Sequence, residues 1–486
     1  MISDRIASVF NEPDCDKNRA KSDADRKKGC TTKGLTPGAA AGGCAFDGAK
    51  IALQPVTDVV HLVHGPIACE GNSWDTRNVG TKGPMIYRWG FTTDMSELDV
   101  IGGGEKKLYK AIKEAIAKYD PPAVFVYLTC VPALIGDDID TVCRVASERL
   151  GKPVIPVNAP GFVGSKNLGN KLGAQALLDH VVGTLEPDDV GPTDINIIGE
   201  YDVAGEFVAV EPLLERLGIR IRACITGRSR YVDIAAAHTA RVNMMVCSQA
   251  MINLGRGMRE RYGIPYFEGS FYGIGDTSLS LRTIAKMLVE RGAETDLIDR
   301  TEALIAEEEA KAWAAMAEYK PRLEGKKVLL YTGGVKSWSV VHALQEMGME
   351  VIGTSVRKST EGDKGKAKQA LQQNTTGKMG ELFGSIPNGE MYRMFKDGEA
   401  DIMLSGGRSQ FVALKARTAW MDINQERHAG FEGYDGMIEM VRQMDIEINN
   451  PVWDQVRRPA PWDEESVSQA PAVAASTATP LAGAAE

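Results

Sequence analysis

The chain has 486 residues, 43% of them hydrophobic, so it can bury more than one core and should divide into about three domains. Its formal net charge of -9 excludes the clustered Lys and Arg footprint of a nucleic-acid binder. No run of about eighteen apolar residues occurs, and the opening "MISDRIASVFNEPDCDKNRAKSDADRKKGC" is too polar for a signal peptide, so the expectation is a cytoplasmic protein with no membrane contact.

In chain order, residues 1–35 read as a polar, loosely ordered segment. Short apolar runs ending in Gly, Pro or Asn then alternate with helical-period segments, the pattern of parallel sheets with crossover helices. The expected strands are "VVHLVHG", "PAVFVYLTC", "KPVIPVNAP", "DINIIGEY", "IRIRACITG", "VNMMVCS", "IPYFEGSFYG", "KKVLLYTGG", "MEVIGTS" and "DIMLSGG". Between them lie helices such as "DDIDTVCRVASERL", "LGNKLGAQALLDHVVGTL", "EPLLERLG", "SQAMINLGRGMRERYG", "LSLRTIAKMLVERG", "VVHALQEMG" and "DGMIEMVRQM". A long charged helix from Glu294 to Leu323 bridges two such units. The fold class is α/β, with three Rossmann-like doubly wound domains over residues 36–191, 192–324 and 325–455, followed by a low-complexity Ala/Pro tail over 456–486.

Ligands of open parallel sheets bind at the carboxyl ends of the strands, which directs attention to soft residues there. The cysteines are Cys15, Cys30, Cys44, Cys69, Cys130, Cys143, Cys224 and Cys247, and no two form a CxxC zinc clip. In a reducing compartment they are thiols or metal ligands. Cys69 follows a strand in the turn "HGPIACEGN", Cys130 ends "PAVFVYLTC", and Cys44 sits in the glycine-rich "TPGAAAGGCAFDGAK". Glycine beside a cysteine can let an inorganic cluster approach the backbone, whereas a lone cysteine elsewhere is a small buried apolar residue. Cys247 ends "VNMMVCS" just before a helix, where the amide ends favour a thiolate. Cys143 and Cys224 read as core, and Cys30 remains an alternative ligand to Cys44. GxxxxGK[ST], HExxH and GxSxG are all absent. The glycine turns "IGGGEKK" and "YTGGVKS" are either anion sites or tight connections.

Six segments in order, "LTPGAAAGGCAFDGAKIALQP", "HLVHGPIACEGNSWDTR", "LTCVPALIGDDID", "MMVCSQAMINLGRGMRERYGIPYFEGSFYGI", "LLYTGGVKSWSVVHALQEMGMEVIGT" and "DINQERHAGFEGYDGM", resemble the nitrogenase component 1 family, and most of all its cofactor-assembly scaffold branch. The resemblance runs from about Lys28 to Trp453. It implies that Cys44, Cys69 and Cys130 ligate a [4Fe–4S] cluster, with the fourth thiolate supplied by a NifN-like β subunit in an α2β2 heterotetramer. Cys247 matches the cysteine that holds the terminal iron of the iron–molybdenum cofactor, and here would anchor its iron-only precursor, the [8Fe–9S–C] L-cluster. Molybdenum and homocitrate are then transient guests. The nitrogenase Fe protein (NifH), a cluster donor (NifB) and apo-dinitrogenase are the implied partners.

Two departures from the catalytic branch matter. Asn424 stands where that branch has its histidine ligand to molybdenum, and Asn170 where it has a histidine near the substrate. Arg77 and Arg408 align with basic residues around the cofactor that suit homocitrate carboxylates. The resemblance therefore implies a scaffold more than an enzyme. Its rivals are a catalytic dinitrogenase α subunit, a dark-operative protochlorophyllide reductase subunit, and an α/β binding module without metal.

Overall fold

The computed structural model describes residues 43–73, 84–356, 359–373, 379–384, 386–424 and 429–458. The polar N-terminal segment, with Cys15 and Cys30, and the Ala/Pro tail lie outside the described residues, as does Arg77. The strands form three all-parallel sheets. The first has the order β2-β1-β3-β4, with β1 Val60–His64, β2 Phe91–Thr92, β3 Val124–Leu128 and β4 Val154–Val157. The second runs β6-β5-β7-β8, from β5 Asp194–Glu200, β6 Arg220–Thr226, β7 Val242–Met245 and β8 Tyr266–Glu268. The third runs β11-β10-β9-β12-β13, from β9 Lys327–Tyr331, β10 Glu350–Ser355, β11 Glu381–Phe383, β12 Ile402–Ser405 and β13 Ala419–Asp422.

All ten expected strands are present. Central strands such as "VHLVH" and "VFVYL" are buried at every position, because helices cover both faces of a parallel sheet and leave no wet side to demand alternation. The three unexpected strands, β2, β11 and β13, are short and each occupies a sheet edge. The long charged helix is shorter than expected: it spans Asp296–Met316, and a separate turn follows at Lys320–Leu323, where Pro321 lacks the amide needed to continue the ladder.

Between the first and second sheets lies a helical layer built from α1 (Ala45–Leu53), α4 (Lys166–His180) and α5 (Ser248–Tyr262); α2 (Ile67–Ser73) and α3 (Cys130–Ile135) follow β1 and β3. Helix α4 is buried on nearly every side and so shows no clean apolar stripe. It crosses α1 at backbone distance: a Cβ on Gly169 would fall 1.9 Å from the Ala45 carbonyl oxygen, and one on Gly48 would fall 1.9 Å from that of Lys166. These glycines therefore serve helix packing. Gly43, next to Cys44, is required by its φ of +89° and by the Asp47 carboxylate, 2.2 Å from where its Cβ would lie. Gly42, the other glycine beside Cys44, lies outside the described residues.

Beneath α1, His61 is fully enclosed, with Nε2 2.9 Å from the Val56 carbonyl and Nδ1 2.7 Å from the Tyr127 hydroxyl. A carbonyl only accepts, so Nε2 carries the proton and Nδ1 accepts from Tyr127. Burial pushes the His61 pKa down from 6.5 to about 3. The unfolded chain thus binds a proton that the folded one refuses. The stability that His61 contributes is complete above its unfolded value of 6.5 and is lost as pH falls towards about 3.

Two outcomes follow for measurement. Urea unfolding against pH should show stability falling below 6.5 by up to about 1.4 kcal/mol per pH unit from this group, and His61→Asn should flatten that slope while lowering stability at neutral pH. Gly169→Ala should cost about 3 kcal/mol, because the two backbones have nowhere to move without opening the layer; a cost below 1 kcal/mol, or about that, would refute the close crossing.

Candidate metal-cluster sites at the carboxyl edges

In the first sheet the chain leaves β1 towards β2 on one side and returns to β3 on the other, which opens a crevice between the carboxyl ends of β1 and β3. Cys69 and Cys130 stand on the two sides of that crevice. Cys69 lies inside α2, so the turn expected there is a short helix, its amide donating to the Pro66 carbonyl at 3.0 Å. Cys130 is the first residue of α3, directly after Thr129. Cys44 precedes α1 and accepts the Gly48 amide at 3.0 Å through its carbonyl. All three thiols are half-buried.

Gly161 brings Cys44 and Cys130 together. It follows β4 in the 3-10 turn Gly161–Val163, and a Cβ there would meet the Cys130 Sγ at 2.9 Å and the Cys44 Sγ at 3.1 Å. The Cys69 thiol belongs to the same group: burial pushes its pKa up, the adjacent Cys130 thiol adds to that, the Thr129 hydroxyl opposes it, and Cys44 contributes a smaller rise. The Cys69 thiol, raised in this way, resists ionisation until a cation joins it. Among the described residues no three His, Cys, Asp or Glu side chains converge tightly enough for one metal ion. Thiolates on a cubane bind separate irons, so an all-sulfur set with a missing Cβ at its centre fits an iron–sulfur cluster and not a lone ion.

Exposed apolar side chains ring the same opening: Ile67 on α2 is 60% exposed, Leu134 on α3 74% and Phe162 beside Gly161 57%. In the nearby turn "IGGGEKK" the Gly104 amide is already taken, donating to the Asp137 carboxylate at 3.0 Å. Asp137 in turn meets His64 Nε2 at 3.0 Å.

The second sheet repeats the arrangement. Its crevice opens between β5 and β7, and Cys247 lies two residues beyond β7, half-buried and outside the apolar cores. Gly199 in β5, with φ +97°, admits it: a Cβ there would lie 2.7 Å from the Cys247 Cβ. The helix beyond is less regular than expected. Met251 has non-helical φ/ψ (-130°, 20°), so only one short turn of α5 faces Cys247 and the helix-end effect on its thiol is weak. Cys143 and Cys224 are buried core residues, as expected.

Asn170 projects from α4 and is 7% exposed, yet its Oδ1 has no hydrogen-bond partner. One residue on, the Lys171 carbonyl accepts from Asn253 of α5 at 3.0 Å, so this part of α4 faces the helix that begins at Cys247. In the third sheet Asn424 lies two residues beyond β13, where Oδ1 accepts from the Thr332 hydroxyl at 2.7 Å and a Cβ on Gly406 would meet Nδ2 at 2.9 Å. Arg408 lies in the 3-10 turn Gly407–Ser409 after β12. The structure thus gathers Cys44, Cys69 and Cys130 at one edge, and places Cys247 and Asn424 at the edges of separate sheets. Gly161 and Gly199 were not singled out from the sequence; their strand-end positions were the available signal.

The family model for nitrogenase component 1 type oxidoreductases matches residues 44–449. The chain belongs to the nitrogenase component 1 family. Within that family it is 60% identical to the nitrogenase iron-molybdenum cofactor biosynthesis protein NifE of Sinorhizobium fredii, covering 96% of this chain and 93% of the relative. It is 62% identical to the NifE of Mesorhizobium japonicum over 95% of the chain and 92% of that protein, and 45% identical to that of Klebsiella pneumoniae over 95% and 100%. Among solved nitrogenase structures, Nitrogenase Cp1 at pH 5 superposes with a TM-score of 0.78 at 26% identity, covering 88% of this chain and 92% of that one.

For this component 1 chain, Gly161→Ala should fold with a melting temperature close to that of the parent, since the atoms it meets are mostly side-chain tips that can turn. It should fail to retain iron at the three-thiol site, as measured by metal analysis and low-temperature EPR of the reduced protein. Unchanged iron would remove Gly161 from the site.

Proposed function

We infer that the chain is a scaffold in the biosynthesis of the nitrogenase iron–molybdenum cofactor. The observation that carries the inference is identity of 60% or more, along almost the whole chain, to proteins named for that task. As a component 1 protein it binds iron–sulfur cofactors and works within a heterotetramer with a partner subunit. Among its described residues no helix is long and apolar enough to cross a membrane.

The finer reading assigns each edge a task. Cys44, Cys69 and Cys130 hold a [4Fe–4S] cluster whose fourth thiolate arrives with a NifN-like subunit, and the apolar ring of Ile67, Leu134 and Phe162 favours a covering partner. That cluster supplies one-electron transfer when bound. Cys247 anchors the [8Fe–9S–C] precursor as cargo through one sulfur. The buried Oδ1 of Asn170, which has no hydrogen-bond partner among the described residues, suits a polar guest beside α4. Asn424, already engaged by Thr332, offers no imidazole clamp at the far end, so the cargo is held firmly at one end and released at the other.

Arg77 and Arg408 steer homocitrate while molybdenum enters. NifH brings electrons, NifB delivers the precursor, and apo-dinitrogenase receives the product. The limits 36–191, 192–324 and 325–455 are proposed as the three domains.

Iron and molybdenum analysis of the complex purified with its partner tests this reading. Cys247→Ala should lose about half or more of the iron while the EPR signal of the small cubane survives. Iron loss spread equally over both signals, or acetylene reduction at the rate of a true dinitrogenase, would overturn it.

A further inference from the structure

Lys50 on α1 and Glu70 on α2 form an ion pair whose side chains are only 2% and 7% exposed. Both groups are taken almost completely out of water, so their pairing is opposed by desolvation. Such a pair is seldom more stabilising than two apolar side chains of the same size, because taking two charges out of water offsets most of their attraction. What it adds is direction. A charged hydrogen bond fixes a distance and an angle that an apolar contact leaves free.

The two helices it joins are short, nine and seven residues, and each carries one thiol of the triad near its start. Cys44 immediately precedes α1 and Cys69 is the third residue of α2. Neither helix can register itself against the other by length alone. Gly90 leaves room for the Glu70 carboxylate: a Cβ there would stand 3.2 Å from its Oε1. Tyr127 and His61, hydrogen-bonded to each other beneath α1, are enclosed in the same buried layer.

We propose that Lys50 and Glu70 are positioning residues, a buried clamp that sets the spacing of Cys44 and Cys69. The proposal rests on reading the three thiols as one ligand set. It requires no change in the charge of either thiol, only that the register of α1 against α2 depends on the pair.

The test uses the cluster-free full chain and dibromobimane, which fluoresces only after joining two thiols a few ångström apart, with the joined cysteines mapped by peptide mass spectrometry. Lys50→Met combined with Glu70→Leu removes both charges together. The double variant should keep its melting temperature, show a several-fold lower Cys44–Cys69 bridging yield, and take up less iron at the small cubane. Lys50→Arg should restore most of the yield. Unchanged bridging at unchanged melting temperature overturns the proposal. Should the double variant not fold, Glu70→Asp, which keeps the charge and shortens the reach, gives the same readout and must shift the yield. Absence of bridging among all three thiols in the parent chain would instead sink the ligand-set reading itself.

Discussion

The contact between α1 and α4 is the constraint from which the rest of the site follows. Two helices meet through Gly48, Gly169 and Gly173 with Ala45 and Ala49 between them, so closely that single methyl groups would collide with main-chain carbonyls. One end of this crossing places Cys44 against Gly161, in the space that Cys130 also enters. Along α4 the Lys171 carbonyl accepts from Asn253 of α5, whose first residue follows Cys247. A single packed layer therefore positions both sulfur sites, and neither depends on a flexible loop for its placement.

Each sheet uses the same device for a different purpose. The strand order reverses next to its first strand in all three, and a crevice opens at that reversal. The first crevice holds three soft ligands and an apolar rim, the second a single half-buried thiol, and the third a polar edge where Asn424 is engaged by Thr332. A graded series of this kind, from several sulfurs to one to none, matches a protein that keeps one cluster and passes on another.

Legibility in the sequence followed burial. Central strands were readable because covering both faces demands unbroken apolar runs. The three unread strands at sheet edges carry only two to four residues each, too few to show a period. Glycine was the harder letter. Gly48, in the glycine-rich run after Cys44, is room for a helix, whereas Gly161, which borders the Cys44 and Cys130 sulfurs, sat in an unremarkable "APGFVG". A missing side chain states that something comes near, and only the tertiary neighbours say what it is.

By itself the sequence determined the α/β class, the strand-end placement of Cys69, Cys130 and Cys247, the core roles of Cys143 and Cys224, and the absence of an imidazole at Asn424, because each of these depends on local pattern or on residue identity. Only the tertiary structure decided that Cys44, Cys69 and Cys130 share one space, that Gly161 makes room for sulfur and Gly199 for the main chain and Cβ of Cys247, and that Lys50 meets Glu70. The physical reason is that convergence across loops is set by how helices cross and sheets reverse, and contacts between residues distant in sequence leave no period behind for a reader to follow.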